Sequence, residues 1–181
     1  VPVYDWVDLL HHFTPQDFRD LQVWFNLTWF GHRAREKKES VRELFQKGRV
    51  FAEADKTILL QAQSEIIQEL IPLYQSMLAK GQVEITTSPF YHPILPLLID
   101  WTTASRSMPK VSLPGSFSHP EDAEVQIQKA VEYYQNLFGC QPKGMWPSEG
   151  SVCPELIPLA HKAGIHWMAS DEGILFRSLS G

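Results

Sequence analysis

Two acidic side chains follow predicted strands in the last third of the sequence. Glu149 lies in the loop after a strand predicted to end at Trp146, and Asp171 follows the next predicted strand. Because the carboxyl ends of parallel strands open onto one shared crevice, both carboxylates are expected to face a common pocket. Pro147 restricts the first loop and Gly150 lets it turn, so the position of Glu149 is expected to be well defined.

This pair of carboxylates suits the cleavage of glycosidic bonds. One carboxylate can attack or stabilise the anomeric carbon, while a carboxylic acid protonates the leaving oxygen. Trp146 and Trp167 offer aromatic planes on which the apolar faces of sugars can lie. The alternative is structural, because a Glu after a strand is often solvated or caps a helix, and Asp171 with Gly173 suits a simple turn.

Two further candidates belong to an earlier predicted strand over residues 83–87. Glu84 is a charged residue within this otherwise apolar, buried strand, so either a functional site or a buried ion pair is expected around it. His92 follows the strand in the string SPFYHPILP. It could hydrogen-bond a substrate hydroxyl or a catalytic carboxylate, or it could simply order a proline-rich loop.

Other chemistries lack the residues that they need. The histidines form no His-x-x-x-His pair and no His/Asp group at ligand spacing, and Cys140 and Cys153 form no CxxC pair. The cysteines are expected to be reduced structural thiols. A serine nucleophile elbow and a phosphate-binding glycine loop are also missing from the sequence. We therefore expect no metal and no cofactor.

The bulk composition predicts one globular domain. The chain has 181 residues, of which 44% are hydrophobic, and a net charge of −5, with a single short basic run at residues 33–38. Nucleic acid and anionic membranes are poor partners for such a surface. Without a signal-like or membrane-spanning apolar run, a cytoplasmic location is expected. The sequence begins with Val1 rather than Met, so we expect a piece of a longer protein.

The N-terminal half is predicted to be helical. Thr14, Pro15 and Asp17 form a capping signature for a helix that runs to about residue 31. Ser40 with Glu43 predicts a second, short helix, and residues 54–80 a third one that Pro72 should kink. The apolar residues of the first helix recur at helical spacing and are expected to form its buried face: Phe18, Leu21, Phe25 and Trp29.

The C-terminal half alternates between strands and helices. Strands are predicted at residues 83–87, 142–146 and 165–169, with helices at 118–139, capped by Ser118, and at 154–164. Strands separated by helices of this size favour a parallel sheet and an α/β fold. Three strands are too few to close a barrel, which again indicates missing elements.

Four strings in the sequence resemble glycoside hydrolase family 57. They are DLQVWFNLTWF at residues 20–30, GQVEITTSPFYHP at 81–93, WPSEG at 146–150 and SDEG at 170–173. The resemblance extends over nearly the whole chain, and the two longest strings are the most specific.

The resemblance implies a fold, an activity and site residues. The fold would be part of an incomplete (β/α)7 barrel with a helix-rich N-terminal half, and the activity a retaining mechanism on α-glucans, as hydrolase or glucanotransferase. Glu149 would be the nucleophile and Trp146 the aromatic residue beside it. Glu84 and His92 would line the substrate site. Asp171 is predicted to be a further substrate-binding residue from its position after a strand, and not from the resemblance.

The sequence also departs from the family pattern. The N-terminal His-Gln-Pro motif is absent, and so is the segment that carries the general-acid Asp; Asp171 comes one strand too early to be that acid. We therefore expect residues 1–181 to be a single-domain internal fragment of the catalytic domain, inactive alone and partnered by the rest of that domain. The alternatives are a non-catalytic sugar-binding or regulatory unit and a metal-dependent carbohydrate deacetylase.

Overall fold

The computed structural model describes residues 12–113 and 115–179. The chain separates into two compact units, residues 1–73 and 74–181. Each unit has a hydrophobic cluster of its own, and each is described by itself below.

The first unit is helical. It contains α1 (Pro15–Leu27), α2 (His32–Lys37), α3 (Glu39–Lys47) and the greater part of α4 (Glu53–Ala79). The predicted start of α1 is confirmed, because the Thr14 hydroxyl accepts the Asp17 N–H and the Asp17 carboxylate accepts the Thr14 N–H. Helix α4 continues through Pro72, which therefore does not end it.

Two details of the first unit differ from the sequence expectation. The predicted apolar face of α1 is exposed, whereas Val23 and Leu27 are buried, because α1 carries apolar residues on two sides and packs the other one. Ser40 is no cap: α3 begins at Glu39 after Lys38, and no side chain caps it. The core is formed by the following residues: Val23, Leu27, Phe30, Val41, Leu44, Phe51, Leu59 and Ala62.

The second unit combines helices with a small parallel sheet. Its helices are α5 (Leu95–Ile99), α6 (Ala104–Ser107), α7 (Pro120–Phe138), α8 (Leu156–Lys162) and α9 (Glu172–Leu179). Strands β1 (Gly144–Met145) and β2 (Trp167–Met168) pair in parallel, and Thr87 adds a parallel bridge to Met145. The predicted parallel order is thus confirmed, with α7 and α8 as the crossovers.

The strands are much shorter than predicted. Residues 83–86 form no regular strand, and Glu84 is exposed rather than buried. The segment joins the sheet only at Thr87, whose N–H donates to the Gly144 carbonyl and whose carbonyl accepts the Trp146 N–H. The β-favouring residues at 83–87 therefore form an extended segment. A regular strand would also need a neighbouring strand along its whole length, because β-propensity alone does not supply a hydrogen-bonding partner.

Helix α7 follows the prediction except at its cap. It begins at Pro120 after His119, and no side-chain hydrogen bond caps it. The Ser118 hydroxyl, the predicted cap, donates instead to the Ile99 carbonyl at 2.8 Å. The helix ends at Gly139, whose left-handed φ of 71° suits glycine.

The two faces of the sheet have different environments. Met145 pairs with Met168, and Met145 is fully buried against the helices. Gly144 pairs with Trp167, so this pair lies on the opposite face, because successive residues of a strand alternate in direction. Helices α7 and α8 cover the first face with the following residues: Ala123, Ile127, Val131, Leu156 and Ala160.

Within the described residues, every helix is too short or too polar to cross a lipid bilayer.

Candidate functional site

Glu149 occupies a strained turn just beyond β1. Its φ and ψ are 56° and 21°, in the left-handed region that non-glycine residues seldom adopt. The turn is closed by two backbone hydrogen bonds, from the Gly150 N–H to the Pro147 carbonyl at 2.9 Å and from the Ser151 N–H to the Ser148 carbonyl at 3.1 Å. The neighbouring Ser148 is buried while the Glu149 side chain is 72% exposed. The turn therefore projects the carboxylate into open space.

His92 has the same unusual backbone. Its φ is 58°, and its N–H donates to the Pro89 carbonyl at 2.9 Å. Gln126 of α7 fixes the preceding turn, since its main-chain carbonyl accepts the Phe90 N–H and its side-chain Oε1 accepts the Tyr91 N–H. The imidazole is thus placed by a turn that α7 holds.

The structure brings Glu149 and His92 together. His92 Nε2 lies 3.7 Å from Glu149 Oε1, too long for a hydrogen bond but close enough for an ionic contact when the imidazole is protonated. Three non-glycine residues with positive φ occur among the described residues, namely Val50, His92 and Glu149. Such strain costs about 1 to 3 kcal/mol per residue and is concentrated at functional sites. Two of the three therefore belong to one side-chain pair.

The chain beyond Glu149 is anchored at two points. The Ser170 hydroxyl donates to the Gly150 carbonyl at 2.9 Å, which connects the loop after β2 to the Glu149 turn. Arg106 donates two hydrogen bonds to Glu155, at 2.6 and 3.0 Å. The guanidinium lowers the pKa of Glu155 from 4.5 to about 2, with a contribution from backbone hydrogen bonding. These contacts hold the chain on the carboxyl-terminal side of the turn.

Trp146 lies between the sheet and the Glu149 turn. Its main-chain N–H donates to the Thr87 carbonyl at 2.8 Å, and the residue is 45% exposed. Its ring atoms lie 3.9 Å from the position that a Cβ on Gly150 would take. The indole is therefore adjacent to the turn that carries Glu149.

Glu84 lies at the other end of the sheet. It precedes the paired Thr87 by three residues, whereas Glu149 follows the paired Met145 by four, so the two carboxylates belong to opposite ends of neighbouring parallel segments. The Glu84 carboxylate accepts a hydrogen bond from Trp167 Nε1 at 3.2 Å. The structure thus gives Glu84 an indole partner that the sequence did not indicate.

Asp171 lies beside the Glu149 turn mainly through its backbone. Its amide nitrogen is 3.9 Å from the position of a Cβ built on Gly150. Its carboxylate accepts the Gly173 N–H at 2.8 Å, in the first turn of α9. The Asp171 side chain therefore stabilises the turn that begins α9, which is the structural alternative given above for this residue.

Several features of this region were missed in the sequence. The Arg106–Glu155 pair joins residues 49 positions apart, and no local motif indicates it. Ser148 Oγ is the one buried side-chain polar atom without a partner in the part of the chain that the structure describes. Residues 12–113 and 115–179 contain no group of three or more His, Cys, Asp or Glu side chains arranged to hold a metal ion.

Comparison with known proteins defines the class as glycosyl hydrolases. The chain belongs to glycosyl hydrolase family 57, whose family model matches residues 9–180.

Named relatives are also similar to this chain. Over 104 residues the chain is 33% identical to a 4-alpha-glucanotransferase of Thermococcus kodakarensis, covering 58% of this chain and 13% of that protein. Over 100 residues it is 31% identical to alpha-amylase 1 of Dictyoglomus thermophilum, covering 55% of this chain and 12% of that protein. The chain thus spans about an eighth of the length of these relatives.

Two solved structures are also similar. The alpha-amylase AmyC from Thermotoga maritima matches with a TM-score of 0.46 and 17% identity, covering 82% of this chain and 24% of that one. The family 57-type branching enzyme from Pyrococcus horikoshii matches with a TM-score of 0.46 and 19% identity, covering 82% and 26%.

Proposed function

We propose that this chain carries the nucleophile of a retaining α-glucan hydrolase or glucanotransferase, and that the nucleophile is Glu149. The observation that carries the proposal is the pair formed by Glu149 and His92. Both residues have left-handed backbone, and their side chains approach to 3.7 Å beyond the carboxyl end of β1. Strained backbone of this kind is concentrated at sites where a side chain must be held in one position for function. The exposed carboxylate of Glu149 is also accessible to a substrate.

The proposed reaction proceeds through two displacements. The Glu149 carboxylate forms a bond to the anomeric carbon as the bond to the leaving oxygen breaks, and a carboxylic acid protonates that oxygen. The same acid, now a carboxylate, then takes a proton from water or an acceptor hydroxyl, which attacks the anomeric carbon and releases Glu149. We place this acid in a part of the protein outside residues 1–181. No metal or organic cofactor takes part.

The other site residues receive binding roles in this proposal. His92 supports the Glu149 carboxylate or a neighbouring sugar hydroxyl, and Trp146 contacts a sugar ring beside the nucleophile. Glu84 accepts hydrogen bonds from the substrate at the far end of the sheet. Asp171 lines the site through the backbone that adjoins the Glu149 turn.

The substrate class is supported by the relatives. They include proteins named alpha-amylase and 4-alpha-glucanotransferase, which act on α-linked glucose chains. These names support a maltooligosaccharide as the first substrate to test, and they leave hydrolysis and transfer as two outcomes of one covalent intermediate.

The test uses the full-length protein with a maltooligosaccharide. Glu149→Gln is expected to lower kcat by at least about a thousandfold, as the removal of a catalytic nucleophile does. Azide added to Glu149→Ala is expected to restore turnover and to yield a β-glycosyl azide, because azide then takes the place of the carboxylate. NMR of the first wild-type product should show the α-anomer.

Controls separate the nucleophile from a general loss of folding. Glu172→Gln alters an exposed carboxylate near the same loop and should leave kcat unchanged. The isolated chain of 181 residues should show little or no turnover. Full activity in Glu149→Gln would contradict the assignment, while glucan binding by the full-length protein without any turnover would indicate a non-catalytic sugar-binding unit instead.

A further inference from the structure

We propose that Ser170 is a positioning residue for the nucleophile, because its hydroxyl holds the turn that carries Glu149 in its left-handed form. This inference rests on the proposed function, since it takes Glu149 as the reacting carboxylate. Ser170 follows strand β2 by two residues, at the carboxyl end of the parallel sheet, where the Glu149 turn also lies. In this role Ser170 contacts no substrate and acts through the backbone of the turn.

The turn at Glu149 has a shape that glutamate does not favour. Glu149 and Gly150 are consecutive residues with left-handed φ, 56° and 64°. The Ser151 N–H donates to the Ser148 carbonyl at 3.1 Å and closes the turn around them. This is the pattern of a type I′ turn, whereas the mirror-image type I turn has negative φ at both central positions and suits glutamate better. The left-handed form therefore depends on contacts from outside the turn.

The Ser170 hydroxyl provides such a contact. Gly150 is buried, and the carbonyl of a buried residue needs a hydrogen-bond donor. The Ser170 hydroxyl donates to this carbonyl at 2.9 Å. A change to the type I turn would rotate the carbonyl away from the hydroxyl, because the two turns are mirror images. The hydrogen bond therefore favours the left-handed turn over the relaxed one.

The sheet fixes the position of Ser170. The Ala169 N–H donates to the Met145 carbonyl at 3.3 Å, directly beyond the paired residues of β1 and β2. Ser170 is the next residue along the chain, so its backbone is held by the same pairing. The hydroxyl thus reaches the Glu149 turn from a strand that is hydrogen-bonded to the strand before that turn.

The hydrogen bond should affect the reaction more than the stability of the fold. Ser170 is an exposed residue, so water competes for its hydroxyl and the bond adds little to the free energy of unfolding. The rate of attack on the anomeric carbon is more sensitive, because a misplacement of about 1 Å can cost about a hundredfold. A turn that relaxes moves the Glu149 carboxylate with its backbone. Loss of the hydroxyl should therefore lower the reaction rate while the fold is retained.

The test compares variants of the full-length protein on a maltooligosaccharide. Ser170→Ala is expected to lower kcat/KM by about five- to a hundredfold, because the carboxylate is then less well aligned. The dissociation constant for the same sugar, measured by calorimetry in a Glu149→Gln background, should not change. Ser170→Thr keeps the hydroxyl and should retain most of the activity. Ser170→Cys has a weaker donor of similar size and should fall between the other two variants.

Ser118→Ala is the matched control. Ser118 is also exposed, and its hydroxyl donates to the Ile99 carbonyl at 2.8 Å across 19 residues of sequence, compared with 20 residues for the bond of Ser170. Ser118→Ala should leave kcat/KM unchanged. Both alanine variants should keep a thermal midpoint close to that of the wild type, because each loses one hydrogen bond of an exposed hydroxyl.

Azide separates the positioning of Glu149 from a general disturbance of the site. In Glu149→Ala, azide takes the place of the carboxylate and is not attached to the turn. The azide-restored rate should therefore be the same with and without Ser170→Ala, although Ser170→Ala slows the protein that has Glu149. A lower azide-restored rate in the double variant would contradict a role through Glu149.

The outcomes distinguish this inference from the proposed function. An unchanged kcat/KM in Ser170→Ala, with Glu149→Gln inactive, overturns the positioning role and leaves the nucleophile assignment intact. Equal losses in Ser170→Thr and Ser170→Ala also overturn it, because the hydroxyl would then not be the source. If Ser170→Ala fails to fold, wild-type activity in Ser170→Cys has the same meaning. Full activity in Glu149→Gln overturns both.

Discussion

The imidazole of His92 lies 3.7 Å from the carboxylate of Glu149, and both residues have a positive φ. The two turns that carry them belong to different neighbouring segments of the parallel sheet, and α7 fixes one of them through Gln126. The fold thus holds an imidazole and a carboxylate close together on two separately anchored, strained turns.

We expect His92→Ala to reduce kcat/KM of the full-length protein by about ten- to a hundredfold, because small losses of alignment at a reacting group have effects of this size. Steady-state kinetics on a maltooligosaccharide provide the measurement. His92→Gln keeps a hydrogen-bonding group and should lose less. An unaltered kcat/KM in His92→Ala would show that the imidazole only orders its own loop.

Val50 is the one strained non-glycine residue that lies in the first unit, among the described residues. Its side chain is 63% exposed, and its N–H donates to Asp20 Oδ2 at 2.8 Å, a bond that any residue except proline keeps. Val50→Gly should raise the free energy of unfolding by about 1 kcal/mol, since glycine relieves the left-handed backbone. Urea unfolding measures this change. Val50→Ala, which keeps most of the strain, should gain less.

Ser148 has a buried hydroxyl without a hydrogen-bond partner. An unpaired buried polar group costs about 1 to 3 kcal/mol, so Ser148→Ala should leave the thermal midpoint unchanged or raise it. Thr103→Ala is the matched control, because the buried Thr103 hydroxyl donates to the Pro96 carbonyl at 3.2 Å and its removal should lower the midpoint. A clear loss of stability in Ser148→Ala would mean that its hydroxyl is paired in solution.

The Arg106–Glu155 pair should make stability depend on acidic pH. The pKa of Glu155 is about 2 in the folded chain and near 4.5 otherwise. A lowered pKa stabilises the fold above the unfolded value, and this contribution is lost as pH falls from about 4.5 towards 2. Arg106→Met should therefore reduce the difference in thermal midpoint between pH 5 and pH 2.5.

Glu155→Gln is the control for this pair, since it removes the titrating group and should weaken the same pH dependence. Both side chains are about half-exposed, so salt should diminish the contribution. An identical pH profile in the wild type and in Arg106→Met would contradict the role of this pair.

Local signals in the sequence predicted some helix ends, although the predicted caps Ser40 and Ser118 were wrong. Thr14 with Asp17 begins α1, and Gly139 ends α7, because caps depend on residues that are adjacent in sequence. The parallel order of the segments was also predictable, since helices of sufficient length separate them. The Gly144–Trp167 contact was not, because it depends on the register between two strands.

The burial of individual residues could not be predicted from the sequence in two places. Phe25 and Trp29 recur at helical spacing, and this periodicity predicted a helix with an apolar face. It did not show which of the two apolar sides of α1 packs inward. The strand over residues 83–87 was overestimated for a related reason, since β-propensity favours an extended chain but does not supply the partner that Glu84 would need in order to be buried.

The backbone at Glu149 restricts how this position can change during evolution. Aspartate and asparagine tolerate left-handed φ better than glutamate, and glycine tolerates it best. Each of these replacements, however, shortens the side chain or removes it, and aspartate would withdraw the carboxylate by one methylene, about 1.5 Å. A substitution that lowers the backbone strain at position 149 therefore also moves or removes the carboxylate. Selection for a carboxylate at this place would eliminate the same single substitutions that make the turn more favourable.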